Sequence, residues 1–253
     1  MNNNLKLIEG SIVVYDYTFD KQEKFKAFKE ALTYFLAYVK YEGFKPNFRL
    51  YKPNENDPDT PIYLASVKYL SGWIAFLLDV YNFYGESHGI RVAELRSTIQ
   101  TPPLINVEKA IVNLSYTDLC EEFKIEPVIL QRDDMYRNKW GSRYWTFLHN
   151  ISIVCQMNSN LTTKLANLML NLGKILPCSE CASNYRKKDP LVTVTIPMTQ
   201  TMDSITVMFN LHTKERLDTG GKTISIEEFA KWNELTIVNS KTVKYSQIIK
   251  LLG

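Results

Sequence analysis

Leu176-Pro177-Cys178-Ser179-Glu180-Cys181-Ala182 holds two thiols separated by two residues. An apolar run from Leu161 to Ile175 leads into it with helical spacing, and the basic cluster Arg186-Lys187-Lys188 follows. Two cysteines at this spacing can close a disulfide within one helical turn. The thiol nearer a helix N-terminus gains thiolate character from the helix dipole and from nearby cations. A helix before the pair, where a thioredoxin-like site has a strand, gives the pair an all-α setting and disfavours a βαβ redox fold.

The flanking sequence agrees with that fold class. Before the pair, Trp140 to His149 continues through Ile151, Val154 and Cys155 as an amphipathic helix, with Trp145 and His149 on one face. After it, Asp189-Pro190 breaks the chain, and the β-branched run Leu191 to Ile196 predicts a short strand. Met202, Ile205, Met208, Phe209 and His212 form another helical stripe, ended by Thr219-Gly220-Gly221. Ser225-Ile226-Glu227-Glu228 reads as a capping box opening a short helix to about Leu235.

The first half is also helical. Residues 1–20 read as an extended arm or short strand. Phe25, Phe28, Leu32, Phe35 and Val39 recur at helical spacing between Lys21 and Val39. Three prolines make Gly43 to Thr60 a loop, and Thr60-Pro61 starts a helix that is apolar over a wide arc from Ile62 to Tyr84. Gly85 ends it. Shorter helices are expected from Ile90 to Ile99, Val107 to Leu114 and Tyr116 to Phe123. The connector Pro127 to Arg137 carries the expected boundary between a non-catalytic N-terminal domain, 1–130, and a C-terminal domain, 131–253.

Composition bounds the function. With 45% hydrophobic residues in 253, the chain can bury a sizeable core. A net charge of +3 is too weak to imply nucleic acid or an acidic membrane as partner. The opening Met1-Asn2-Asn3-Asn4-Leu5-Lys6 lacks the apolar region of a signal peptide, and the longest apolar stretches are interrupted by Lys, Asp or Asn, so no transmembrane helix is expected. The plain reading is a soluble intracellular protein.

Four cysteines are too few for a disulfide scaffold. Cys120 and Cys155 read as small buried hydrophobes. Cys178 and Cys181 fit half of a zinc site, but the three histidines, His88, His149 and His212, lie far apart in sequence, which disfavours a bound metal. A Trp and a His on one helix face are by default core packing. What changes that balance is the order: a Trp-x-x-x-His helix, a helix ending in Cys-x-x-Cys, then a helix ending in His.

In that order the sequence resembles the Erv/ALR family of flavin-dependent sulfhydryl oxidases. The family's Gly-x-x-x-Trp-x-x-x-His pattern corresponds to Gly141, Trp145 and His149, and its Pro-Cys-x-x-Cys-Ala-like stretch to Pro177 through Ala182, with basic residues after it. Its His-Asn-x-x-Asn-like motif keeps His212 but has Thr213 and Arg216 at the Asn positions. The likeness covers Lys139 to Lys222, about a third of the chain.

The resemblance implies a four-helix bundle holding FAD, with Gly141, Arg143, Trp145, His149, His212 and Arg216 around the cofactor. It implies that Cys178 exchanges with thiol-containing protein substrates while Cys181 faces the flavin. Electrons then pass from thiols through the Cys178–Cys181 disulfide to FAD and on to molecular oxygen, giving hydrogen peroxide. Shuttle cysteines are missing, and a long cysteine-poor helical region precedes the bundle. That layout is similar to the baculoviral branch, in which the N-terminal part is a degenerate second bundle forming a pseudo-dimer; the branch implies a homodimer in host cytoplasm, nucleus or virion. On the residues alone, a non-enzymatic all-helical interaction protein and a zinc-binding module remain the alternatives.

Overall fold

The computed structural model describes residues 5–40, 60–97, 104–176 and 178–250. It is mostly helical, with one antiparallel ribbon. The elements are β1 (Leu5–Thr18), α1 (Lys21–Lys40), α2 (Thr60–Tyr84), α3 (Arg91–Ser97), α4 (Leu104–Val112), α5 (Tyr116–Phe123), α6 (Arg137–Cys155), α7 (Ser159–Met169), α8 (Ser179–Lys187), α9 (Ile196–Thr201), α10 (Ser204–Asp218), α11 (Ile226–Trp232) and β2 (Thr236–Lys250).

The helices follow their apolar spacing. Asp20 caps α1 by accepting from the Gln22 and Glu23 amides, and Phe25, Phe28, Leu32, Phe35 and Val39 are all buried. The wide apolar arc of α2 is consumed: Val67, Leu70, Trp73, Ile74, Leu77 and Tyr81 lie in the core. Gly85, at φ +69°, ends α2 in the left-handed region. Ser115 and Asp118 form a capping box at the start of α5.

The expected boundary at residue 130 lies in a connector, and one hydrophobic core runs across it. Phe35 of α1 stacks on Phe147 of α6 with centroids 3.9 Å apart and planes at 9°, and Phe28 and Trp73 flank the same ring. Buried and partly buried tyrosines donate to main-chain carbonyls. Tyr81 donates to Phe123 O, Tyr84 to Val154 O, Tyr69 to Leu168 O and Tyr144 to Ile175 O. Phe123 O and Val154 O are carbonyls that a helix C-terminus leaves without an intrahelical partner.

Three expectations are corrected. The all-α fold class is incomplete: β1 pairs along its length with β2, from Leu5 opposite Lys250 to Thr18 opposite Thr236, with a bulge at Asp16/Tyr17. The extended N-terminal arm is therefore half of a ribbon whose partner strand was not foreseen. The strand expected at Leu191 to Ile196 is instead a π-helical turn over Leu191–Thr195 running into α9. Thr193 Oγ1 donates back to Lys188 O and Asp189 O, and Thr195 Oγ1 to Ala166 O, so threonine hydroxyls and burial override strand preference. Third, the helix before the cysteine pair stops at Met169 and gives way to a 3₁₀ turn at Leu172–Lys174. There Gly173 lies so close to α8 that a Cβ would sit 3.2 Å from Ala182 O.

The loop expected from Gly43 up to α2 and the Pro102-Pro103 stop lie outside the described residues. Among the described residues no helix is long and apolar enough to cross a membrane.

Candidate functional site

Cys178 is the N-cap of α8. Its Sγ accepts the backbone N–H of Cys181 at 3.2 Å, and the two sulfurs form a disulfide with Cα atoms 5.2 Å apart, within the span a disulfide bridges. The positive end of the helix dipole therefore acts on this pair. The basic cluster does not, contrary to the sequence expectation. Arg186 and Lys187 close the last turn of α8, at the far end from the thiols. Lys188 is committed to α10, pairing with Glu215 at 3.1 Å and with Asp218. The free thiols Cys120 and Cys155 are buried, as expected, and burial pushes both above the ordinary thiol value.

The second cluster joins α6 to α10. Trp145 stacks on His212 with centroids 4.1 Å apart and planes at 10°. His149, one turn along α6 from Trp145, lies between His212 and Phe229 of α11. His149 Nε2 and His212 Nδ1 are 2.8 Å apart, a hydrogen bond between the rings. His149 Nδ1 is buried with no partner. Burial, and then His212, hold His149 well below the ordinary imidazole value; burial, and then Arg216, do the same to His212. Both rings are neutral at pH 7.

These clusters share one cavity of about 860 Å³. Gly141, Trp145, His149, His212, Arg216 and Cys181 line it, while Cys178 does not. The disulfide thus has one sulfur-bearing residue on the cavity wall and the other off it. Gly141 leaves open space where a side chain would stand. Among the described residues, Glu215 and Arg216 are the charged side chains on the wall. Arg143 departs from expectation: it is exposed and its guanidinium lies 3.8 Å over the Tyr34 ring of α1, away from the cavity.

Sequence reasoning missed the wall supplied by α11. Phe229, Trp232 and Asn233 all line the cavity, and Trp232 is 69% exposed. The capping box announced that helix but carried no signal of where it packs. Among the described residues no group of three or more His, Cys, Asp or Glu side chains is arranged to hold a metal ion. In comparisons with known proteins, no family model, curated protein or solved structure matches this chain.

Proposed function

We propose that the chain is an FAD-dependent sulfhydryl oxidase of the Erv/ALR type, forming disulfides in thiol-containing proteins and passing the electrons to molecular oxygen. The observation that carries this reading is the shared cavity: Cys181 of the disulfide and the Trp145–His149–His212 cluster line one wall-to-wall space. Its volume of about 860 Å³ falls within the roughly 300–1,000 Å³ of ligand clefts.

The residues present suit a flavin. Trp145 and His212 offer stacked aromatic faces, His149 Nδ1 is a buried polar atom without a partner, Gly141 leaves room, and Arg216 supplies positive charge. These five residues would hold the cofactor. When bound, FAD supplies a two-electron acceptor for the thiols and a donor for oxygen.

The thiol chemistry follows from the chain itself. A substrate thiolate attacks Cys178 Sγ; the Cys178–Cys181 bond breaks, and Cys181 leaves as a thiolate. A second substrate thiolate displaces Cys178, so the substrate gains a disulfide and both cysteines are reduced. The two electrons then reside on a pair whose inner member borders the cavity. The helix N-terminus stabilises the thiolate formed at each stage.

The test is the visible absorption spectrum of purified protein, followed by oxygen uptake with a dithiol. A yellow protein that consumes oxygen, and whose turnover is abolished by Cys181→Ser with flavin retained, is expected. A colourless, correctly folded protein refutes the reading.

A further inference from the structure

The histidine pair has a property that cofactor holding does not require. His149 Nε2 faces His212 Nδ1 at 2.8 Å; His149 is only 7% exposed, and His212 is partly buried. Two neutral imidazoles in hydrogen-bond contact share one proton between the facing nitrogens. If His149 Nε2 carries it, His149 Nδ1 is a bare lone pair and His212 carries its proton on Nε2. If His212 Nδ1 carries it, His149 Nδ1 bears a proton and His212 Nε2 is bare. The pair has two tautomeric states, and the unpartnered nitrogen His149 Nδ1 changes from acceptor to donor between them.

We propose that His149 and His212 form a proton relay serving the redox reaction of the cavity, an inference that rests on the oxidase reading above. In the first state a proton arrives at His149 Nδ1. The Nε2 proton of His149 shifts to His212 Nδ1, and the Nε2 proton of His212 leaves toward the less buried side. One proton has crossed, no charge remains on either ring, and the pair stands in its second state. The same steps in reverse bring one proton inward and restore the first.

The overall reaction is compatible with such a round trip of one of its two protons. Two thiols plus oxygen give a disulfide plus hydrogen peroxide, with two electrons and two protons passing from sulfur to oxygen and none consumed. A proton sent out while thiols are oxidised must come back while oxygen is reduced. One outward and one inward transfer reset the pair.

The surroundings suit this role. Burial keeps both imidazoles neutral, so neither is trapped as a cation. Trp145, stacked on His212, and Phe229, against His149, fix the ring planes without offering a competing acceptor. The charged side chains on the cavity wall are Arg216 and Glu215, both from α10, and Glu215 is paired to Lys188.

The decisive experiment needs no flavin. The protein contains three histidines, so ¹⁵N labelling of the imidazoles gives a small spectrum in which His88→Gln removes the third ring. At pH 7 both His149 and His212 should be neutral, with protons on the same-named nitrogens, both Nε2 or both Nδ1, and with scalar coupling across the N···N contact. An imidazolium, or one Nδ1–H ring beside one Nε2–H ring, overturns the relay.

Flavin-loaded protein provides the kinetic arm. His212→Phe keeps a ring on Trp145 and His212→Gln keeps an acceptor for His149, but neither can pass a proton. Turnover should fall about a hundredfold in both, and the solvent deuterium isotope effect should rise. Wild-type turnover in the Gln variant overturns the relay while leaving the oxidase standing. Absence of flavin from the wild-type protein refutes the oxidase reading itself, independently of the tautomer result.

Discussion

Acid should weaken this fold through its buried histidine pair, and the size of the effect can be worked out. His149 and His212 are held neutral in the folded protein, both below the ordinary value, chiefly by burial. In the unfolded chain each titrates near 6.5. Below that pH the unfolded state binds protons that the folded state refuses. Stability is therefore fully present above pH 6.5 and is lost as pH falls toward the depressed folded values. Between pH 6.5 and 5.0, one such histidine costs about 1.6 kcal/mol. His149 contributes that amount in full. His212 is only partly buried, so solvent screening discounts its share, and the pair together cost between about 1.6 and 3.3 kcal/mol. Urea unfolding of wild-type protein and of a His149→Phe/His212→Phe variant at the two pH values isolates this term, because carboxylate effects are common to both proteins. The wild type should lose at least about 1.6 kcal/mol more than the variant. Parallel losses would refute the claim that the pair is buried and neutral.

Three further outcomes follow from packing. Phe147→Ala, at the stack on Phe35, should cost about 3–5 kcal/mol, with tryptophan emission and far-UV dichroism reporting one coincident transition; two separate transitions would deny the continuous core across residue 130. Gly173→Ala places a methyl 3.2 Å from Ala182 O and should cost about 1–3 kcal/mol, read as a lowered urea midpoint; an unchanged midpoint would mean that α8 is not pinned there. Asp203 caps α10 at the Thr206 amide and accepts the Tyr15 amide of β1, so Asp203→Ala should cost about 1–2 kcal/mol and speed amide exchange in the ribbon while α6 stays protected. Equal acceleration in both would show that the carboxylate does not tether the strand.

The helices were legible wherever one local signal sufficed. Phe25, Phe28, Leu32, Phe35 and Val39 needed only their spacing, and α11 its capping box. The ribbon was not legible, because β1 finds its partner in β2 at the other end of the described chain and neither segment marks the other. Leu191–Thr195 misled for a related reason: β-branched residues favour strands on average, and here hydroxyl bonds to Lys188, Asp189 and Ala166 decide otherwise. At the site, Trp145, His149 and His212 were singled out from sequence and do meet. Arg143 was misplaced because a motif position does not say which side of a helix faces the cavity. Phe229 and Trp232 were missed because their role depends on how α11 docks, which no local pattern encodes.

The ribbon also sets an order of assembly. β1 precedes every described helix in the chain and β2 follows them. Tyr15 and Tyr17 of β1 pack with Ile237 of β2 against the small cluster that contains Phe229, the α11 residue resting on His149. A nascent chain that has released α10 already carries its thiols and both site histidines, but the side of the cavity behind His149 is still open. That side is filled when α11, which follows α10, brings Phe229 onto His149. β1 therefore waits through synthesis of the described helices without its partner strand, an unpaired edge open to misassociation with another copy.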